Sequence, residues 1–192
     1  MKVLIEKENF KVELLEIAGI ASCVQSLELS RNRDRRSETD FAFLGKDDDN
    51  DETFIPTLYT QSVSKINRKD WELMYTLVKK GDEHAKPLRG VTAWLKITAP
   101  AYWWCEMETY RHGHERLMSE STMFQEGRKL KGDELRAAKA RIPMGRTLTK
   151  IDMFSYQCLR RIYNQRKTHR LSEWQWFCEC LNDLPLNQLI TG

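Results

Sequence analysis

Two segments of the sequence are rich in β-branched and Leu side chains at the alternating spacing of a half-buried β-strand. Residues 2–17 predict a strand or hairpin, and residues 91–98 predict a further strand that ends at Pro100. Other segments have helical spacing and predict helices over residues 18–29, 67–80, 101–124 (interrupted by Gly113), 133–141, 149–167 and 172–183. This pattern predicts an α+β fold with a mixed sheet and long helices, in a single domain over residues 1–192.

The composition excludes several classes of protein. The 192 residues include 31 Lys+Arg and 28 Asp+Glu, so a formal charge of +3 does not by itself indicate nucleic acid or a membrane surface. No run approaches the roughly 18 apolar residues of a membrane span, and the first residues lack the apolar core of a signal peptide. Five cysteines without a CxxC pair favour reduced thiols. We therefore expect a soluble cytoplasmic protein that does not bind a membrane.

Two polar segments predict loops. Residues 30–55 contain a basic run and then an acidic run with little apolar material between them, which predicts a mobile loop. Residues 125–150 are basic and contain Gly and Pro at several positions. They predict an exposed, loop-rich insertion around the short helix at 133–141.

Residues 100–114 concentrate aromatic, acidic and basic side chains. On a helix Trp103, Met107 and Arg111 follow one another by one turn, so an aromatic stripe would lead to a cation. Rings for stacking and Arg for a carboxylate or phosphate suit a planar anionic ligand. The alternative is a buried amphipathic helix with a polar end. His112 and His114 would point to different faces of a helix, so we expect no metal site.

A basic run covers residues 160–170 at the predicted end of a helix. Cations favour this end of a helix dipole, which explains the run without a ligand. The run also suits an anion site, with Arg166 and His169 one turn apart, or contacts to a nucleic-acid backbone. No recognised nucleic-acid-binding motif accompanies it, so nucleic acid is the less favoured partner. Ser172 and Gln175 have the spacing of a capping box for the next helix.

The order of these motifs resembles that of flavin-dependent thymidylate synthases, also called thymidylate synthase complementing proteins. That family has a helix, a Gly-His-x-Ser-Pro-Leu-Glu-His turn, a strand and a helix closing on RHRxxSxNExSxRY. An Asn-Leu-Arg helix end, a His and a Glu-Ile-Arg helix follow. The similar residues here are 77–84, 91–97, Arg111-His112, Asn164-Gln165-Arg166, His169 and Glu173-Trp174-Gln175. The resemblance covers about residues 71–124 and 151–180, and it looks closest to a small, divergent, phage-associated branch.

The sequence departs from the family pattern at several positions. Gly113 stands where the second Arg of the signature is expected, and Asp82 replaces the first His of the turn. Gln175 stands where the family has the Arg that polarises the nucleotide. An alignment from Pro100 shifts the match by one residue and places Glu106 on a Gln of the family, so two registers stay open.

The resemblance implies conversion of dUMP to dTMP by reduced FAD, with methylenetetrahydrofolate and NADPH as co-substrates and no enzymic nucleophile. It also implies a homotetramer with active sites between subunits. The implied nucleotide-binding residues are Glu106, Arg111, Ser121 and Arg166, and the implied flavin-binding residues are His84, His112, Asn164 and His169. The departures leave the activity open. The alternatives are a non-catalytic nucleotide-binding protein and a nucleic-acid-binding protein of the same fold.

Overall fold

A five-stranded sheet forms the centre of the computed structural model, which describes residues 1–29, 66, 68–125 and 128–192. The strands are β1 (Lys2–Lys7), β2 (Phe10–Ala18), β3 (Thr92–Pro100), β4 (His114–Ser119) and β5 (Thr147–Ser155). Their order is β1-β2-β3-β5-β4, and all four neighbouring pairs are antiparallel. The predicted α+β class is therefore confirmed, as are the hairpin at 2–17 and the strand at 91–98. The sheet, however, is antiparallel throughout and not mixed as predicted.

The helices lie before, between and after the strands. They are α1 (Ile20–Leu29), α2 (Arg68–Lys79), α3 (Ala101–Met107), α4 (Thr122–Gln125), α5 (Gly132–Ala140), α6 (Tyr156–Arg166), α7 (Ser172–Cys180) and α8 (Gln188–Thr191). The helices predicted at 18–29, 67–80, 133–141 and 172–183 are confirmed by α1, α2, α5 and α7. The loop predicted at 30–55 lies outside the described residues.

The predicted long helix over residues 101–124 is wrong. α3 ends at Met107 after two turns, and the chain then reverses through Gly113, whose φ of +78° suits glycine, into the edge strand β4. β4 escapes sequence analysis because four consecutive residues, 115–118, are exposed, so it has no alternation of buried and exposed positions.

The helix predicted over residues 149–167 is correct only from Tyr156 onward. The preceding residues form β5, which pairs with β3 on one side and β4 on the other. β-branched side chains such as Thr149 and Ile151 favour this strand. Because the buried residues Lys150 and Asp152 are charged, the inward face of this strand does not produce an alternating hydrophobic pattern in the sequence. The segment at 125–150 contains α5, which has no buried side chain, and the start of β5. Its status as an insertion stays a prediction.

The predicted capping box at the start of α7 is also wrong. Leu171 is the N-cap residue of α7 and makes no side-chain capping bond. The Gln175 amide instead donates to the carbonyl oxygen of His169 at 2.7 Å. A side chain committed to the preceding loop cannot also close the box.

An aromatic cluster fills the core between the sheet and the last helices. Trp103 is fully buried, with its ring 5.3 Å from Phe10 and 4.7 Å from Trp174 between centroids. Met107 is buried as well. The predicted aromatic stripe on the surface is therefore wrong, and the alternative interpretation of a buried amphipathic helix is correct. In the part of the chain that is described, no helix has the length and apolar character to cross a bilayer.

We expect one of the five thiols to react rapidly in the folded protein. All five cysteines are free, and Cys105 on α3 is the exposed one. Burial raises the pKa of the Cys23 and Cys178 thiols to about 12 and that of Cys158 to about 11, which removes reactive thiolate. Titration with Ellman's reagent should give one fast thiol per chain. Cys105→Ser should abolish the fast phase, and several fast thiols in the wild type would contradict this packing.

Candidate functional site

A loop over residues 108–113, here called the connecting loop, joins α3 to β4 and lies against α6. The Tyr110 hydroxyl donates to Gln165 Oε1 at 2.9 Å, and Arg161 Nη2 on α6 donates to the His112 carbonyl oxygen at 3.4 Å. The Gly113 carbonyl accepts from the backbone N–H of Ser155 at 2.7 Å. The loop therefore holds Arg111 and His112 over the first turns of α6 and Tyr110 over its last turn.

A cluster of polar and aromatic side chains, here called the Glu106 cluster, forms at the end of α6. It consists of Glu106, Tyr110, Arg166, His169 and Trp174. Arg166 Nη1 donates to Glu106 Oε2 at 2.7 Å, and Arg166 Nε donates to the Tyr110 hydroxyl at 2.7 Å. The Trp174 indole N–H also donates to Glu106 Oε2, at 3.0 Å. His169 Nε2 lies 3.7 Å from the same oxygen.

The cluster is half-buried and internally neutralised. The side chains of Arg166, His169 and Glu106 are 18%, 27% and 34% exposed, so solvent and a ligand can reach them. The Arg166 guanidinium lies 4.5 Å above the Trp174 ring centre. Its charge is already opposed by Glu106. The cluster thus offers a flat surface and an accessible carboxylate. Because Arg166 is already paired with Glu106, the cluster does not offer a free cation to an anionic ligand.

A basic cleft of about 810 Å³ opens on the other side of the connecting loop. Its lining includes four basic side chains (Lys86, Arg89, Arg111, Arg161) and three acidic ones (Asp82, Glu83, Glu115). We call this cavity the basic cleft. Its size and mixed charge suit a polar ligand with anionic and hydrogen-bond-donor groups.

The wall of the basic cleft is positioned by α6. Ser155 caps the helix by accepting from the Cys158 N–H at 3.2 Å, so the positive end of the helix dipole faces the cleft. Gln157 accepts from Arg89 Nε at 2.7 Å and donates to the Asp82 carbonyl at 3.1 Å. Arg161 Nε is buried with no partner in the described part of the chain, which leaves a donor for a bound group.

The predicted site residues fall into separate groups. Glu106, Arg166 and His169 meet in the Glu106 cluster, and Arg111 and His112 line the basic cleft. His84 lines a neighbouring cleft of about 540 Å³ that shares Glu83 and Lys86 with the basic cleft. Two residues line neither cleft: Ser121, which accepts from the backbone N–H of Met123, and Asn164, which is exposed on α6.

Sequence reasoning missed a charged network beneath the connecting loop. The fully buried carboxylate of Asp152 lies 2.6 Å from His114 Nε2, and His114 Nδ1 lies 3.1 Å from the Tyr110 carbonyl oxygen. Arg116 Nη2 and Lys150 Nζ both approach Glu108 Oε1, at 2.5 and 3.2 Å. The alternation of Lys150 and Asp152 would have been the signal for this network, had the segment been recognised as a strand.

Ionisation in this network follows from burial and pairing. Burial acts to raise the pKa of Glu108, but hydrogen bonds from Arg116 and Lys150 outweigh it, so the pKa of this carboxyl is lowered. Burial lowers the pKa of Lys150, against the opposing hydrogen bond to Glu108. The network therefore ties the base of the connecting loop to β4 and β5.

The basic run at 160–170 does not form one binding face. Arg160 donates to the Gly192 carbonyl, Arg161 to the His112 carbonyl and Arg166 to Glu106. These three side chains reach different parts of the chain, as expected around a helix. This distribution does not favour a continuous nucleic-acid-binding surface.

The fold is shared with solved structures of known proteins. No protein-family model and no curated protein matches the sequence. The arrangement of the sheet and helices, however, is the fold of flavin-dependent thymidylate synthases. One similar structure is the flavin-dependent thymidylate synthase ThyX of Helicobacter pylori complexed with FAD and dUMP, with a TM-score of 0.65 and 12% sequence identity over 94% of this chain and 96% of that chain. Another structure of ThyX from the same organism, with FAD and dUMP, has a TM-score of 0.62 and 13% identity at the same coverage. At these identities the similarity establishes the fold alone.

Proposed function

We propose that this protein binds a pyrimidine 5′-monophosphate together with FAD and acts on the pyrimidine in the manner of a flavin-dependent thymidylate synthase. The basic cleft beside the connecting loop is the observation that carries the proposal. The fold adds support, because the similar ThyX structures hold FAD and dUMP. The redox chemistry would be that of the flavin, and methylenetetrahydrofolate and NADPH are the co-substrates that the resemblance implies.

The donors of the basic cleft fit a phosphate. Among the residues that the structure describes, the side chains of Arg111 and Lys86 form no ion pair or hydrogen bond. Arg161 Nε lies beside these two side chains and is buried without a partner among the described residues. A phosphate offers several acceptor oxygens, and charge-assisted bonds from guanidinium groups to these are strong. We therefore assign the nucleotide phosphate to Arg111, with Lys86 and Arg161 as neighbours.

The flavin would occupy the surface between the two clefts. His112 and His84 line the basic cleft and its neighbour, and His169 lies in the Glu106 cluster. Imidazole rings supply flat faces and hydrogen bonds for a flavin ring. Asn164 and Ser121 line neither cleft, so in this proposal they join the site from a second subunit of the homotetramer that the resemblance implies.

Turnover is expected to be slow. Gln175 is neutral, and its amide nitrogen is held by the His169 carbonyl. Arg166 in the Glu106 cluster forms an ion pair with Glu106, which neutralises its charge. The loss of one electrostatic stabiliser of transition-state charge costs roughly 3–4 kcal/mol of barrier. Binding is therefore the sounder test of the proposal than activity.

Arg111→Gln is expected to weaken dUMP binding about tenfold, because it removes a charge-assisted bond to the phosphate and leaves a polar side chain of similar length. Isothermal titration calorimetry of the FAD-loaded protein measures this. Arg136→Gln is the matched control, since Arg136 is 83% exposed on α5 and pairs with Asp133. Equal dUMP affinity for wild type and both variants would overturn the assignment of Arg111. Failure of the FAD-loaded wild type to bind either dUMP or dCMP would overturn the proposed function.

A further inference from the structure

We propose that Glu106 selects the base, and that the preferred ligand is a pyrimidine with an exocyclic amino group, the cytosine type, in place of uracil. This inference rests on the proposed function, because it assumes that a pyrimidine nucleotide occupies the site. It names the substrate class of that site and makes Glu106 a specificity-determining residue.

Three hydrogen-bond donors beside Glu106 are already used inside the chain. Arg166 Nη1 and the Trp174 indole N–H both donate to Glu106 Oε2, and Arg166 Nε donates to the Tyr110 hydroxyl. Glu106 Oε1, in contrast, has no hydrogen-bond partner among the described residues. With the side chain 34% exposed, this oxygen is an acceptor that a ligand can reach. The cluster therefore favours a ligand that supplies an N–H donor.

The Arg166 contact also fixes the orientation of the Glu106 carboxylate. An ion pair of 2.7 Å to a guanidinium that stacks on Trp174 holds the carboxylate in one orientation. An ionised carboxylate has only acceptor sites, whereas the amide of Gln or Asn has both a donor and an acceptor. A ligand cannot change this preference by rotating the side chain.

The two common pyrimidines differ at the edge that such an acceptor would read. Cytosine has an amino group at N4, and carboxylates of Glu and Asp accept from this group. Uracil has a carbonyl oxygen at the same position and a second one beside its single N–H. The carbonyl oxygens of uracil carry partial negative charge, so they would be repelled by the carboxylate of Glu106. The carboxylate thus favours the amino base.

The position of the cluster relative to the basic cleft suits a single nucleotide. Three consecutive residues of the connecting loop span the two sites: the Tyr110 hydroxyl bonds Arg166, the Arg111 side chain lines the cleft, and the His112 carbonyl bonds Arg161. In this proposal the phosphate binds at Arg111 and the base lies on the side of Glu106. The face of the Arg166 guanidinium, backed by Trp174, gives that base a surface to stack on.

Calorimetric titration of the FAD-loaded wild type with dCMP and with dUMP tests this inference. We expect dCMP to bind about tenfold more tightly than dUMP, the discrimination of one good side-chain contact to a base edge. Glu106→Gln supplies an amide donor and should remove or reverse the preference. The control is Glu134→Gln, a carboxylate exposed on α5, which should keep the wild-type ratio.

The outcomes separate this inference from the proposed function. If the wild type binds dUMP as tightly as dCMP, or more tightly, the selection by Glu106 is wrong while nucleotide binding stands. If neither nucleotide binds, both proposals fail. Thermal unfolding shows whether the Glu106→Gln variant is folded. If the variant does not fold, the ratio of dCMP to dUMP affinity in the wild type still tests whether the site prefers the amino base.

Discussion

Asp152→Ala is expected to lower the free energy of unfolding by about 1–3 kcal/mol, the range for leaving a buried hydrogen-bonding group without its partner. The Asp152 side chain is fully buried, and its Oδ2 lies 2.6 Å from His114 Nε2. Alanine leaves this imidazole, itself only 6% exposed, without its partner. It also takes away the carboxylate that lies 3.6 Å from Arg116 Nε. Chemical denaturation followed by tryptophan fluorescence measures the change.

The control for Asp152 is another aspartate in an ion pair, but at the surface. Asp133 on α5 is 92% exposed and pairs with Arg136 at 3.0 Å. Surface pairs of this kind contribute about 0–1 kcal/mol, so Asp133→Ala should change stability little. A loss of less than about 1 kcal/mol for Asp152→Ala would show that the network beneath the connecting loop does not hold the sheet edge together.

Gly113→Ala is expected to destabilise the protein by about 2–4 kcal/mol, through strain at positive φ and a steric clash. Gly113 has φ of +78°, and a Cβ atom there would lie 2.2 Å from Ser155 Oγ. This hydroxyl caps α6 by accepting from the Cys158 N–H, so it cannot move without the loss of the cap. Equilibrium denaturation in urea measures the change, and the variant should also bind nucleotide less tightly because the connecting loop shifts.

Two other glycines separate the causes. Gly132 has φ of +53° with no atom within 4 Å of a Cβ, so Gly132→Ala reports strain alone, about 1 kcal/mol. Gly145 likewise has open space around it and carries no positive φ, so Gly145→Ala should be close to neutral. Equal losses for Gly113→Ala and Gly132→Ala would show that the contact with Ser155 Oγ has no energetic effect.

The sequence correctly predicts those elements whose hydrophobic residues repeat at the spacing of a strand or a helix. The β1–β2 hairpin and β3 alternate clearly, and on β3 the inward positions Ala93, Leu95 and Ile97 are fully buried. The sequence predicts helix in place of β5 because the inward positions of this strand include Lys150 and Asp152, which pair with residues from β4 and the connecting loop. Their burial depends on partners distant in sequence, and no local pattern reports that.

The candidate site was predicted only in part, for a similar reason. The resemblance drew attention to Arg111, Arg166 and His169, and the structure places each of them beside the connecting loop or at the end of α6. It could not show that Arg166 is neutralised by Glu106, since the two residues are 60 positions apart. The sequence alone does not predict Arg89 as a lining residue, because the basic cleft exists only once the 3₁₀ turn at Lys86–Arg89 packs on α6.

The most direct test of the central claim is a titration of the purified protein with FAD, monitored by flavin absorbance and fluorescence, before and after addition of a pyrimidine 5′-monophosphate. The account predicts saturable binding of FAD by the folded protein and a further change of the flavin spectrum when the nucleotide enters the adjoining site. A folded protein that binds no FAD, and whose signal is unchanged by either dUMP or dCMP, would contradict it.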